Sequence, residues 1–204
     1  MMRLAYAPLS PFVRKVTVVA IECGLDDRIE RVNSDPWNEK DPLPQMNPLG
    51  KVPALQLDDG SVLTGSSLIC HYLDSLKPKL VPKDAAAQWR DRALEALADG
   101  VMEAGVATVV ERLRRPESYR WKSWEERQVQ KIRRTLDSLD VEAAAGRLGG
   151  APTLGRLSVA IALGYVDFRL GDLDWRKGRP ALAAWYAGIK DRPSLAATMP
   201  KVAA

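Results

Sequence analysis

The sequence predicts an α+β fold, a mixed strand and helix unit followed by helices alone. Three observations carry this reading. Strand alternation passes into helical spacing across residues 2–23 and is followed by a second strand; a strand pair meets at Asp58-Asp59-Gly60-Ser61; and from residue 84 onward no strand-like alternation returns.

Met2, Leu4 and Tyr6 alternate with smaller or polar residues, while Val13, Val16, Ala20 and Cys23 recur at helical spacing. A strand therefore becomes a helix running from Pro11 to about Cys23. Ser10 sits at the junction, where its hydroxyl can cap an orphan amide and Pro11 lacks the proton that would be orphaned. A helix N-terminus also favours negative charge, and Arg14 and Lys15 follow one turn on, so an anion or thiolate near the hydroxyl would be stabilised. The capping and anion readings are compatible. Gly24 is a natural left-handed cap, and Arg28-Ile29-Glu30-Arg31-Val32-Asn33 reads as a second strand, parallel to the first through a right-handed crossover.

Residues 34–50 carry Pro36, Pro42, Pro44 and Pro48 with little periodicity, and an irregular loop near a site is expected there. Within it Trp37 is expected to pack beneath the loop in preference to walling the site. Val52-Pro53-Ala54-Leu55-Gln56-Leu57 reads as a strand, and Val62-Leu63-Thr64 as its antiparallel partner. A proline near the start of such a strand suits an edge or a cis bond, leaving Val52 with an outward amide and carbonyl able to read a peptide-like ligand. Gly65-Ser66-Ser67 then opens a helix over 67–76.

From residue 84 two apolar stripes at spacings of three and four predict long helices packed antiparallel. One comprises Leu94, Leu97, Val101, Ala104 and Thr108, the other Val129, Ile132, Leu136, Leu139 and Ala143, with Pro116 breaking the pattern between them. Residues 157–170 are apolar nearly all round, with Gly164 permitting close approach, which predicts a buried central helix. Arg179-Pro180-Ala181 starts a last helix and Arg192-Pro193-Ser194 ends it.

The chain has 204 residues and a net charge of +4, with acidic and basic residues interspersed. That excess is too mild to argue for nucleic acid. The densest basic patch, Arg112, Arg114, Arg115, Arg120 and Lys122, reads first as a solvated helix end and loop, and second as a site for acidic ligands. Two cysteines, Cys23 and Cys70, are too few for a disulfide framework; both lie in apolar helical patterns and read as buried thiols of a reducing compartment. With His71 the single histidine, zinc and Ser-His-Asp chemistry would both depend on a residue inside an apolar run. No metal is expected. No phosphate loop or dinucleotide fingerprint appears. Neither an apolar signal region nor a membrane-length apolar run is present, so a cytoplasmic protein without membrane partners is expected.

Ser10-Pro11-Phe12-Val13-Arg14-Lys15-Val16, Asn47-Pro48-Leu49-Gly50-Lys51-Val52-Pro53 and the Ser66-Ser67 helix start together resemble the glutathione S-transferase family, of the serine type, in order and spacing. The resemblance covers essentially the full chain. It implies a thioredoxin-like β-α-β-β-β-α domain with a mixed four-stranded sheet at 1–77, a linker at 78–83, and an all-helical domain at 84–204. It further implies glutathione as co-substrate, an electrophilic second substrate and a homodimer built on the 67–76 helix and the long helix 85–113.

By the same resemblance Ser10 donates a hydrogen bond to the glutathione sulfur, Val52 reads the cysteinyl amide, and Ser66 with its helix amides holds the γ-glutamyl carboxylate. Phe12, Lys51, Pro53 and Gly65 complete the expected glutathione site. The architecture leads to an expected electrophile pocket between the domains, lined by Leu9, Phe12 and residues around Val109 to Arg112. Tyr6 competes with Ser10 as sulfur donor, although a strand aromatic packed in the sheet is the simpler reading. Serine where redox subgroups of the family carry cysteine argues against thiol-disulfide chemistry.

Two positions depart from the family pattern. Gly65 stands where an acidic residue or glutamine usually meets the γ-glutamyl amine, which motivates an alternative reading as a protein-binding member with weak glutathione affinity. Thr153 is followed at the third position by Arg156 instead of aspartate, so a reciprocal capping box is excluded, and a stability loss of at most roughly 1 kcal/mol is expected. Nucleic-acid binding through the basic patch ranks last.

Overall fold

The computed structural model describes residues 1–201; residues 202–204, which the sequence reading places in the helical domain, lie outside them. Two compact units divide within one long helix: the first comprises Met1–Trp89 and the segment beginning at Ala197, the second Arg90–Ala196.

The first unit holds a four-stranded mixed sheet in the order β2-β1-β3-β4, the α+β arrangement that the sequence predicts. Strands β1 (Met2–Tyr6) and β2 (Ile29–Asn33) run parallel, with Met2 opposite Ile29, joined through α1 (Pro11–Glu22). Strand β3 (Ala54–Gln56) lies antiparallel to β1, with Leu55 opposite Leu4, and β4 (Val62–Thr64) lies antiparallel to β3. Leu4 and Leu55 are wholly buried on one sheet face. Each such leucine contributes about 1.5–3 kcal/mol relative to an exposed one. Ala5 and Ala54, which alternation turns to the other face, pack with Leu43, Met46, Val52 and Val62. Leu43 and Met46 come from a one-turn helix, α2 (Leu43–Met46), inside the stretch expected to be irregular. Helix α3 (Ser66–Leu76) packs on α1.

Asp74 of α3 fixes the chain that follows. Its buried carboxylate accepts from the amides of Lys79 at 2.9 Å, Leu80 at 2.7 Å and Val81 at 3.3 Å, and from Cys23 Sγ at 3.9 Å. Burial and the neighbouring Asp74 carboxylate push the Cys23 thiol up to about 11. Cys23 and Cys70 are thus free, buried thiols, as their apolar surroundings in the sequence suggest, and Cys23 carries almost no thiolate at neutral pH.

Helix α4 (Ala85–Leu113) starts in the first unit and runs through the second. Its buried face differs from the predicted stripe. Asp91, Glu95 and Ala98 are buried, whereas Leu97 is exposed and Leu94 only half-buried; the prediction and the structure converge at Val101, Ala104 and Thr108. The reason is close approach to α6 (Leu154–Arg169): a Cβ at Gly105 would lie 3.0 Å from Tyr165, and one at Gly155 would lie 2.3 Å from the Asp91 carbonyl oxygen. Helix α5 (Lys122–Ala144) buries Val129, Ile132, Leu136 and Leu139 and packs on α7 (Pro180–Ile189), while Arg112 of α4 donates to Glu125 in its first turn at 2.8 Å. Helix α6 is buried nearly all round, as predicted. The proline at 193 both follows the end of α7 and opens α8 (Pro193–Ala197), a helix the sequence reading does not foresee.

Among the described residues no helix is long and apolar enough to cross a membrane.

Candidate functional site

The residues of the expected glutathione site lie at or near the ends of elements of the first unit. Ser10 is the N-cap of α1, with extended backbone at φ −80° and ψ 123°, and its Oγ accepts from the Val13 amide at 3.3 Å. A serine hydroxyl has one donor proton and two acceptor positions, so capping leaves that proton to be donated elsewhere. The cap and the anion-stabilising reading therefore coexist at one atom. Pro11 occupies the first helical position. Phe12 is half-buried and Leu9 exposed, flanking Ser10 on either side.

Arg14 and Lys15 do not present a cationic surface beside Ser10. Both are buried in α1, Lys15 wholly, and Arg14 Nε donates to Thr198 Oγ1 at 3.3 Å, tying the C-terminal segment to α1. The helix end adds positive potential at Ser10, worth typically 0.3–1 kcal/mol for one charge.

The turn before β3 is built by a residue to which the sequence reading gives no role. Buried Asn47 donates from Nδ2 to the Lys51 carbonyl at 2.7 Å, accepts at Oδ1 from Leu49 N at 3.1 Å, and accepts at its carbonyl from Gly50 N at 2.8 Å. Gly50 takes φ +60°, a left-handed conformation that suits glycine. The Val52–Pro53 bond is cis. Ladder pairing of β3 begins at Ala54, so the Val52 amide and carbonyl stand outside the sheet ladder. Lys51 is exposed, Val52 half-buried and Pro53 buried.

Gly65 is the N-cap of α3, at φ +89° and ψ 128°, with no side-chain cap. A Cβ there would meet nothing within 4 Å, so the glycine answers to backbone conformation and not to space. Ser66, the first residue of α3, is buried. Tyr6 is a half-buried strand residue with the Arg31 guanidinium 5.8 Å from its ring centre. Trp37, expected to pack beneath the loop, is exposed instead.

In the second unit, Val109 is half-buried on α4. Arg112 is held by carboxylates: Nε donates to Glu125 at 2.8 Å and Nη1 to both oxygens of Asp172 at 3.1 Å. Those hydrogen bonds raise its pKa against the opposing effect of burial, so it stays a guanidinium at every accessible pH.

Comparison with known proteins agrees with this reading of the fold. The family model described as glutathione S-transferase, N-terminal domain, matches residues 9–76, and the one described as glutathione S-transferase, C-terminal domain, matches residues 84–188. A glutathione transferase family member from Pseudomonas fluorescens Pf-5, solved with bound glutathione, is 44% identical with a TM-score of 0.93, over 99% of this chain and 100% of that one. A glutathione S-transferase from Methylobacillus flagellatus, solved with glutathione, is 38% identical with a TM-score of 0.91, over 98% and 100%. The GST-like protein YibF of Escherichia coli K12 is 35% identical over 98% of each chain. The chain belongs to the glutathione S-transferase family, with its thioredoxin-like N-terminal and helical C-terminal domains.

Proposed function

We propose that the protein is a glutathione S-transferase that stabilises the glutathione thiolate for attack on a small hydrophobic electrophile or a peroxide. The observation that carries this is Ser10 at the N-cap of α1, with its hydroxyl proton unused by the cap. Supporting it, the 44% identical relative from Pseudomonas fluorescens was solved with glutathione bound.

In this reading Ser10 Oγ–H donates to the glutathione sulfur, which lowers the thiol pKa and raises the thiolate fraction at neutral pH. The helix end adds roughly 1 kcal/mol, under one pKa unit. The sulfur then forms a bond to an electrophilic carbon as the leaving group departs, and the thiol proton passes to solvent. No covalent enzyme intermediate is needed. Val52, standing outside the ladder beside Pro53, reads the cysteinyl amide through its backbone, and Asn47 holds the turn that places it. Ser66 and the first amides of α3 hold the γ-glutamyl carboxylate, with Phe12, Lys51 and Gly65 framing the ligand. Leu9, beside Ser10, is the first-unit residue proposed to meet the electrophile.

We place the protein in the cytoplasm, where its buried free thiols suit reducing conditions, as a homodimer built on α3 and α4. Exposed Leu68, Leu76 and Trp89 on those helices support that assembly.

Gly65 favours a second reading, a member that binds partners and holds glutathione weakly, because no side chain at this position can meet the γ-glutamyl ammonium. Calorimetric titration with glutathione and S-hexylglutathione separates the two. Saturable binding of both is expected; absence of both overturns the transferase reading.

A further inference from the structure

Helix α6 ends on a guanidinium that no carboxylate of the described residues neutralises. Arg169, its last residue, is half-buried, and among the described residues it makes no hydrogen bond and no ion pair. Its Nε is wholly enclosed without an acceptor, whereas neither Nη is enclosed in that way. The Phe168 ring centre lies 4.6 Å from its Cζ and covers one face of the group, so the fork of the two Nη atoms is the edge open to an acceptor.

A cation in the last turn of a helix ordinarily bonds the free carbonyls there, and Arg169 bonds none. The carboxylates nearby in sequence are already engaged. Asp167 accepts from Trp175 Nε1 at 2.7 Å and from Arg176, and Asp172 accepts from Arg112. Arg179 also has an enclosed Nε, yet its other nitrogens hold the Trp175 and Arg133 carbonyls and the Asp137 carboxylate.

One turn before Arg169, Tyr165 stands on the same face of α6. Its ring lies against Gly105 of α4 and is 5% exposed. The hydroxyl makes no hydrogen bond among the described residues and is not wholly enclosed. Burial pushes its pKa up to about 12 against the opposing charge of Arg169, so at neutral pH it keeps its proton as a donor. A cationic fork and an O–H donor thus share one helix face, and the chain supplies neither with an acceptor.

We propose that Arg169 and Tyr165 form a binding site for a small aromatic carboxylate in the helical unit. The Nη fork takes the carboxylate oxygens, the Tyr165 hydroxyl donates to one of them, and the ligand's ring packs beside the half-buried Phe168. Arg112 and Arg176 are paired with carboxylates, so the site carries one formal charge, which matches a monocarboxylate better than a phosphate dianion. The inference stands apart from the transferase reading and from Ser10.

The test is calorimetric titration of the full chain with benzoate, with benzamide and inorganic phosphate as controls. Benzoate should bind saturably, roughly tenfold tighter or more than either control. Arg169→Gln should weaken benzoate roughly tenfold and Tyr165→Phe roughly threefold, both with unchanged melting temperature. Glutathione should bind Arg169→Gln as it binds the wild type, which separates this site from one that holds the glutathione carboxylates. If Arg169→Gln unfolds the protein, Arg169→Lys, which keeps the charge and loses the fork, carries the same expectation. No benzoate binding, equal binding of benzamide or phosphate, folded variants that bind benzoate like the wild type, or a loss of glutathione matching the loss of benzoate would each overturn the proposal.

Discussion

At the scale of single residues, Gly65 shows how backbone and chemistry compete for one position. Its φ of +89° is one that an L side chain rarely adopts, and holding a larger residue there costs on the order of 1–3 kcal/mol. The space itself is open. A side chain placed there would thus cost stability through conformation alone, while gaining a group able to meet the glutathione ammonium. Gly65→Gln should lower unfolding free energy by about 1–3 kcal/mol and tighten glutathione binding. Denaturant melts paired with calorimetry read both, and a variant as stable as the wild type with unchanged affinity would contradict the argument. Asn47 makes the complementary point: a buried residue with four hydrogen bonds, through Nδ2, Oδ1, its backbone carbonyl and its backbone amide, fixes the turn ahead of Pro53.

At the scale of elements, the start of α6 exchanges a local cap for a distant one. Thr153 Oγ1 still accepts from the Arg156 amide at 3.3 Å. The second half of a capping box is excluded by Arg156, and a carboxylate from α4 meets a different amide of the first turn. Asp91 accepts from Gly155 N at 3.0 Å and from the Thr153 hydroxyl, so one buried carboxylate joins two helices. The stability loss expected from the sequence is offset by this contact, and the offset works only because Gly155 leaves room for Asp91. Burial raises the Asp91 pKa above the ordinary 3.8, outweighing its hydrogen bonds. With the folded value raised, the native state binds more protons than the unfolded one, so this carboxyl's contribution is full below pH 3.8 and declines as pH rises through the folded value. Asp91→Asn should therefore flatten that decline, whereas Asp91→Ala, which strips the Gly155 amide of its partner, should cost about 1–3 kcal/mol. Chemical denaturation of both variants between pH 4 and pH 8 checks this, and an alanine variant as stable as the asparagine one would refute the capping role.

At the scale of the molecule, exposed Leu68, Leu76 and Trp89 on α3 and the start of α4 should be covered by a second copy. Sedimentation at micromolar concentration should give a dimer, and Leu68→Glu with Trp89→Glu should give a folded monomer; a monomeric wild type would sink the assembly. The fold was legible because its elements announce themselves locally. Alternation in β1, the Ser10-Pro11 helix start, the Asp59-Gly60 turn and the nearly all-apolar α6 each need only neighbouring residues. The family resemblance was legible for the same reason, its motifs being short and contiguous. What the sequence hid depends on distant partners or on brevity. Asp91, Asp74 and Glu111 look like ordinary surface carboxylates until the chain brings amides to them, and an apolar-stripe reading of α4 passes over Asp91 and Glu95 because the buried residues there are charged. Helices α2 and α8 are too short to show a period. Trp37 misleads in the opposite direction, an aromatic whose size suggests packing and which the structure leaves in solvent.

The central claim is that Ser10 donates its hydroxyl proton to the glutathione sulfur. Thiolate absorbance of bound glutathione, titrated against pH in the wild type and in Ser10→Ala, tests it most directly. An ordinary thiol has a pKa of about 8.5, and the account predicts a value well below this in the wild type and a return toward it in the variant, with glutathione still bound. Equal thiol pKa values in the two proteins would contradict it and leave Ser10 as a helix cap alone.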